Sequence, residues 1–177
     1  MHNRISSIGA FALAGVSLAS GLVPTVAVAA DRMEFELATL DGSAFVKLDD
    51  FVNRAILINV WGTECPPCVK ETPLLNAQSQ IYTNVQFLGI GTDDRVSSLR
   101  FASRFQVRYP QLQAPKNPSG LLRRLGDLHG ALPFTVVLNP EHRICAQRLG
   151  EVDVEWIAAA VSKCSRAQAL ADESRAP

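Results

Sequence analysis

Residues 61–73 read Trp-Gly-Thr-Glu-Cys-Pro-Pro-Cys-Val-Lys-Glu-Thr-Pro, and this stretch decides the fold. The largely apolar run of residues 55–60 immediately before it predicts a buried strand. Apolar residues then recur at four-residue spacing from Val69 to Ile81, which predicts a helix. A Cys-x-x-Cys pair therefore stands where a buried strand passes into a helix, and this placement is typical of a redox-active pair.

The two cysteines of this pair differ in their expected positions. Cys65 is expected at the N-cap of the helix, where unpaired N–H groups and the helix dipole favour an anion. Pro66 suits the first helical position, because its fixed φ fits and its missing N–H costs nothing there. Cys68 lies one turn deeper and should be more shielded. Since the thiolate is the form that attacks disulfides, we predict that Cys65 attacks and Cys68 resolves.

A structural zinc site is the alternative for this pair. A closed zinc site needs four ligands, usually from two short pairs. Cys145 and Cys164 form no second short pair, and the three histidines are scattered along the chain. We therefore favour the redox interpretation and predict no metal site.

The same stretch resembles the thioredoxin superfamily, and within it the TlpA/ResA-like thiol-disulfide oxidoreductases. These proteins carry Trp-x-x-x-Cys-x-Pro-Cys-x-x-Glu-x-Pro after a strand with Asn in place of the buried Asp of thioredoxin. The matching positions here are Asn59, Trp61, Cys65, Pro67, Cys68, Glu71 and Pro73. The resemblance runs from about residue 35 to about residue 161. It implies an α/β, thioredoxin-like fold, with a central mixed β-sheet flanked by helices and an added N-terminal β-hairpin.

The resemblance implies two further catalytic residues. Glu71 matches the active-site carboxylate of the family, which could exchange protons with the cysteine pair, whereas the alternative is a solvated surface glutamate. Pro133 matches the superfamily proline that follows a cis peptide bond beside the Cys-x-x-Cys, whereas the alternative is a proline that only starts a strand. We expect a cis Leu132–Pro133 bond, and Leu132 should offer its backbone to an extended substrate chain.

Four residues are predicted to bind substrate: Trp61, Pro66, Pro67 and Leu132. The sequence departs from the family at Glu64, where an aromatic residue is usual. A carboxylate beside Cys65 should oppose formation of the thiolate.

The N-terminal residues resemble an export signal. Residues 1–30 combine Arg4, an apolar segment and a small-x-small motif at Val28-Ala29-Ala30, which predict a cleaved signal peptide. An uncleaved membrane anchor is the alternative, and either one exports the domain to an oxidising compartment. We assign residues 31–164 to one thioredoxin-like domain and residues 165–177 to a flexible C-terminal tail.

The rest of the chain supplies the remaining elements. A turn signal at Asp41-Gly42 predicts the added hairpin. Cys145 and Cys164 fall on the last strand and the last helix, and could form a disulfide or stay as two free thiols; we favour free thiols. The other predicted elements are strands at 85–90, within 107–118, at 133–138 and at 144–149, and helices at 96–105, 121–125 and 155–163.

Composition narrows the function further. The chain has 17 basic and 17 acidic side chains, so nothing indicates a nucleic-acid partner. The prediction is an exported reductase of disulfides in other periplasmic proteins. The resemblance implies apocytochrome c or copper-site proteins as substrates, a membrane thiol-electron transporter as reductant, and no cofactor beyond the dithiol. We expect a monomer. The alternatives are a Cu(I) metallochaperone, for which two soft thiolates would suffice, and a disulfide-donating oxidase.

Overall fold

The computed structural model describes the backbone of residues 32–173 and the side chains of residues 32–165. The predicted leader, residues 1–30, lies outside the described residues, as does the end of the predicted tail, residues 174–177. None of the described helices combines the length and the apolar character needed to cross a bilayer.

An antiparallel strand pair precedes the main sheet. Strands β1 (Glu36–Ala38) and β2 (Phe45–Lys47) form a separate two-stranded sheet. Gly42 has a φ of 73° in the connecting turn, a conformation that favours glycine, and Asp41 Oδ1 accepts a 3.0 Å hydrogen bond from the Ser43 N–H. The predicted hairpin is therefore confirmed.

The main sheet has five strands in the order β5-β4-β3-β6-β7. The central strand β3 pairs parallel with β4 and antiparallel with β6, so the sheet is mixed, as the resemblance implies. Every residue of β3 is buried, which explains why its sequence is almost continuously apolar. The strands are β3 (Ile56–Trp61), β4 (Gln86–Gly91), β5 (Gln111–Gln113), β6 (Phe134–Leu138) and β7 (Ile144–Leu149).

Within residues 32–173, four helices and one 3-10 turn complete the fold. They are the 3-10 turn Leu48–Asp50 and helices α1 (Pro66–Ile81), α2 (Arg95–Arg104), α3 (Ser119–Leu125) and α4 (Val154–Glu173). The sequence predicts that α4 ends near Lys163, and this prediction is wrong. The segment that follows is rich in alanine, the strongest helix former, and its backbone continues the helix to Glu173.

The two faces of the sheet carry separate hydrophobic cores. Alternate residues of a strand point to opposite faces, so Ile56 and Ile58 join a core with α3 and the hairpin, whereas Leu57 joins a core with α1 and α4. A third, small cluster lies where β3 ends and α1 begins, and consists of Leu40, Trp61, Cys68 and Phe101. The fold therefore places the Cys-x-x-Cys pair at the carboxyl end of the central strand.

Candidate active site

Cys65 and Cys68 form a disulfide at the start of α1, with their Cα atoms 5.2 Å apart. Cys65 is the N-cap residue, and its sulfur accepts a hydrogen bond of 3.3 Å from the Cys68 N–H. The first two helical positions are Pro66 and Pro67, as the sequence predicts. Cys68 is completely buried, whereas Cys65 is partly exposed. Because a partner protein can reach only the exposed sulfur, this geometry suits attack by Cys65 and resolution by Cys68.

Asp93, in the loop after β4, and Gln113, on β5, hold the loop that leads into Cys65. The carboxylate of Asp93 accepts a hydrogen bond from the Thr63 N–H. Gln113 Nε2 in turn donates a hydrogen bond of 2.8 Å to the backbone carbonyl of Asp93. The sequence does not predict this support, because no local pattern links three positions so far apart along the chain.

Trp61 is a buried part of the site. Its indole ring stacks on Phe101 with 4.5 Å between ring centroids, and its Nε1–H donates a 3.0 Å hydrogen bond to Gln111 Oε1. Only 3% of Trp61 is exposed, and substrate contact by this residue stays a prediction. Trp61, at the end of the central strand, therefore packs beneath the N-terminus of α1.

The Leu132–Pro133 peptide bond is cis, as predicted. Pro133 is buried directly before β6, and the half-buried Leu132 packs against the small cluster that contains Cys68. Leu132 Cδ1 lies 3.3 Å from the position that a Cβ on Gly62 would occupy, so the two loops approach closely. Substrate contact by Leu132, by the exposed Pro66 and by the half-buried Pro67 stays a prediction.

Glu71 lies inside the protein, with 3% of its surface exposed. Its Oε1 accepts a 2.8 Å hydrogen bond from Asn59 Nδ2, and its Oε2 accepts a 3.0 Å hydrogen bond from the Val152 N–H. Burial raises the pKa of Glu71 to about 7, although both hydrogen bonds favour the charged form. The alternative of a solvated surface glutamate is therefore wrong, and the carboxyl can take up or release a proton near neutral pH.

Glu64 contrasts with Glu71 in its surroundings. Its side chain is exposed to solvent directly before Cys65 in the chain. Water screens its charge, so its effect on a Cys65 thiolate is weaker than that of a buried carboxylate at the same distance. Glu64 nevertheless adds negative charge to the surface that a partner would meet.

The remaining two cysteines form a second disulfide, Cys145–Cys164. Our prediction of two free thiols is wrong, because packing of α4 on the sheet brings their Cα atoms to 5.6 Å, within the range that a disulfide spans. Cys164 is completely buried in the core formed with α1 and α4. The Cys65–Cys68 pair contacts the separate small cluster, so the two disulfides occupy different parts of the core.

Among the described side chains, those of residues 32–165, no group of three or more His, Cys, Asp or Glu residues is placed to hold a metal ion.

Comparison with known proteins places the site in context. A family model described as the AhpC/TSA family matches residues 28–147. The thiol-disulfide oxidoreductase ResA of Geobacillus thermodenitrificans (strain NG80-2) is 32% identical over 88 residues, which is 48% of this chain and 50% of that protein. This chain thus spans about half the length of that relative. The thiol:disulfide interchange protein DsbE of Pseudomonas fluorescens biotype C is 28% identical over 170 residues, which is 95% of this chain and 91% of that protein.

Solved structures agree in fold. A thiol:disulfide interchange protein of the thioredoxin family from Chlorobium tepidum TLS superposes with a TM-score of 0.65 at 19% identity, covering 75% of this chain and 94% of that chain. A secreted thiol-disulfide isomerase from Corynebacterium glutamicum gives 0.62 at 24% identity, covering 73% and 82%. At these identities the likeness establishes the thioredoxin-like fold and nothing finer.

Proposed function

The chain belongs to the AhpC/TSA family, and on this basis we propose that it is a thiol-disulfide oxidoreductase that acts through Cys65 and Cys68. One observation carries the proposal: a disulfide at a helix N-terminus has one partly exposed sulfur, Cys65, and one buried sulfur, Cys68. The cis Leu132–Pro133 bond, whose Leu132 packs against the same cluster, supports it.

The proposed reaction transfers two electrons from the reduced pair to a partner. The Cys65 thiolate attacks one sulfur of the partner's disulfide, that S–S bond breaks, and a mixed disulfide forms. The partner's released sulfur takes a proton. Cys68 then loses its proton and attacks the Cys65 sulfur, which closes the internal disulfide and frees the partner's second thiol. The partner gains two electrons and two protons, and the pair becomes oxidised.

Glu71 is the proposed acceptor of the Cys68 proton. It lies one helical turn beyond Cys68 on α1, and its pKa of about 7 is suited to proton exchange near neutral pH. The ordinary carboxyl pKa of 4.5 would make it a much weaker base.

The direction of transfer is proposed to be reduction of the partner. The sulfur of Cys65 accepts a hydrogen bond from the Cys68 N–H, whereas Pro66 and Pro67 have no N–H to offer. The helix start therefore has fewer N–H donors, and the negative Glu64 directly precedes Cys65. For both reasons the Cys65 thiolate gains less stabilisation than the thiolate of a strong oxidase. A less stable reduced form lowers the reduction potential of the pair and makes it a better reductant.

A redox titration tests this direction. The protein is equilibrated with glutathione or dithiothreitol buffers, and the oxidised fraction of Cys65–Cys68 is measured after alkylation. A reductase should have a potential near the roughly −270 mV of thioredoxin, whereas a value near the roughly −120 mV of a disulfide donor would make the protein an oxidase. A Cu(I) metallochaperone is the remaining alternative, and an insulin-reduction assay together with a Cu(I) titration tests it. Tight copper binding without disulfide reduction would favour the metallochaperone.

The partners and the compartment complete the proposal. The substrates are exported proteins with disulfides, of the apocytochrome c or copper-site type, and a membrane thiol-electron transporter supplies the electrons. The protein works as a monomer in the periplasm, with no cofactor beyond its own dithiol. The export-like residues 1–30 and the similarity to a DsbE protein and to a secreted isomerase support this setting.

A further inference from the structure

A short segment between β7 and α4 touches two parts of the candidate site. We call residues 150–153 the strap. The Gly150 N–H donates a 2.8 Å hydrogen bond to the carbonyl of Pro133. Two residues later, the Val152 N–H donates its hydrogen bond to Glu71 Oε2, and the Val152 side chain is only 5% exposed. The strap therefore covers Glu71 and joins it to the cis-proline loop.

An ion pair fastens the middle of the strap to α1. Lys70 Nζ lies 2.7 Å from Glu151 Oε2, and their side chains are 75% and 37% exposed. Two adjacent residues of α1, Lys70 and Glu71, thus hold two adjacent residues of the strap, Glu151 and Val152. The last strap residue is fixed separately, because Asp153 Oδ1 accepts a 2.7 Å hydrogen bond from the Trp156 N–H.

We propose that Lys70 and Glu151 are positioning residues that hold the strap closed over Glu71 and so keep its carboxyl group out of water. The effect on disulfide exchange rests on the proposed function, since it acts through the proton exchange assigned to Glu71. The covering of Glu71 itself does not depend on that function.

The charges around Glu71 make the proposal testable. Glu151 raises the pKa of Glu71 and Arg148 lowers it, although burial is the largest cause of its raised value. Lys70 and Asp153 add charge of opposite sign at the exposed edge. The buried Tyr109, in the loop before β5, also interacts electrostatically with Glu71. Loss of a lysine near a carboxylate raises its pKa through the electric field alone. An opened strap instead admits water to Glu71 and also removes the Val152 hydrogen bond. Because burial is a larger cause than that bond, the net result is a lower pKa of Glu71. In Lys70→Gln this fall opposes the rise caused by the lost lysine charge.

The direct measurement is a carbon-13 NMR titration of the Glu71 carboxyl in the oxidised full-length chain. We expect Lys70→Gln and Glu151→Gln each to lower the pKa of Glu71 by about 0.3–0.7 units, the range that an exposed ion pair can supply. Lys47→Gln removes one partner of the exposed Lys47–Glu36 pair in the hairpin, and should leave Glu71 unchanged. A raised or unchanged pKa in Lys70→Gln would overturn the proposal.

Amide hydrogen exchange provides a second readout that needs no titration. The Gly150 and Val152 amides should exchange about twofold to fivefold faster in both strap variants, whereas the Trp156 amide should keep its rate. Equal rates in wild type and variants would also overturn the proposal. The pH profile of the disulfide-exchange rate should shift in the same direction as the pKa of Glu71. Both structural readouts use the resting protein, so an inactive wild type would refute the proposed function and leave the strap result intact.

Discussion

The side-chain amide of Asn59 donates a 2.8 Å hydrogen bond to Glu71 Oε1, and it also donates a 3.0 Å bond to the hydroxyl of Thr135. This network ties β3, α1 and β6 together beneath the cysteine pair. Of the three residues in this network, only Glu71 carries a carboxyl group, because position 59 is a neutral amide. The proton of Glu71 is therefore not shared with a second acid in the network. The proposed proton chemistry of the site therefore depends on one residue.

The raised pKa of Glu71 predicts a pH-dependent stability. Between the ordinary value of 4.5 and about 7, the folded protein keeps a proton that the unfolded chain has lost. The free energy of unfolding should therefore fall as pH rises through this window, by about 2–3 kcal/mol in total. Denaturant unfolding of the oxidised protein at pH 4.5, 6 and 7.5 measures the slope.

The matched variants for this experiment are Glu71→Gln and Glu64→Gln. Glu71→Gln should lose most of the slope, because the amide does not titrate, whereas Glu64→Gln removes an exposed carboxylate and should keep it. A slope of wild-type size in Glu71→Gln would assign the pH dependence to another group.

Trp61 should report the redox state of the pair. It shares a packed cluster with Cys68, and a disulfide is an efficient quencher of indole fluorescence. Reduction of Cys65–Cys68 should therefore increase Trp61 emission. Trp156 lies in the core that contains Cys164, so Trp156→Phe isolates the signal of Trp61. Identical spectra in both redox states, with thiol counts confirming reduction, would contradict the assigned geometry.

The Cys145–Cys164 disulfide should stabilise the fold without taking part in exchange. Its two cysteines are 19 residues apart, and closing a loop of this length contributes about 3 kcal/mol in the chain-entropy model. The double variant Cys145→Ala/Cys164→Ala should lose about 2–4 kcal/mol of unfolding free energy and keep the exchange rate of the wild type within about twofold. Guanidinium unfolding and an insulin-reduction assay measure the two quantities. A variant that is stable and inactive would mean that the second disulfide belongs to the reaction.

Local sequence patterns were sufficient for the elements that carry the site. The Cys65 cap, the helix start at Pro66 and the buried strand before them follow from spacing within a few residues, and the structure confirms each of them. The cis bond before Pro133 and the burial of Glu71 came from the family resemblance, since no local pattern distinguishes them from a strand-start proline or a surface glutamate.

The predictions that failed depend on packing between distant parts of the chain. Whether Cys145 and Cys164 bond depends on how α4 is rotated and placed on the sheet, which spacing alone does not determine. The burial of Trp61, which the sequence did not indicate, likewise depends on Phe101 from another helix. The contacts of the strap with Glu71 and Lys70 join residues about 80 positions apart, and no pattern in either segment predicts them.

The most direct test of the account is a trapping experiment with the reduced Cys68→Ser variant and a model peptide that contains one disulfide. Without the resolving thiol, the mixed disulfide should accumulate, and peptide mapping by mass spectrometry should find the adduct on Cys65. The Cys65→Ser variant should trap far less peptide, because Cys68 is completely buried. Equal trapping by the two variants, or an adduct on Cys145 or Cys164, would contradict the assignment of Cys65 as the attacking thiol.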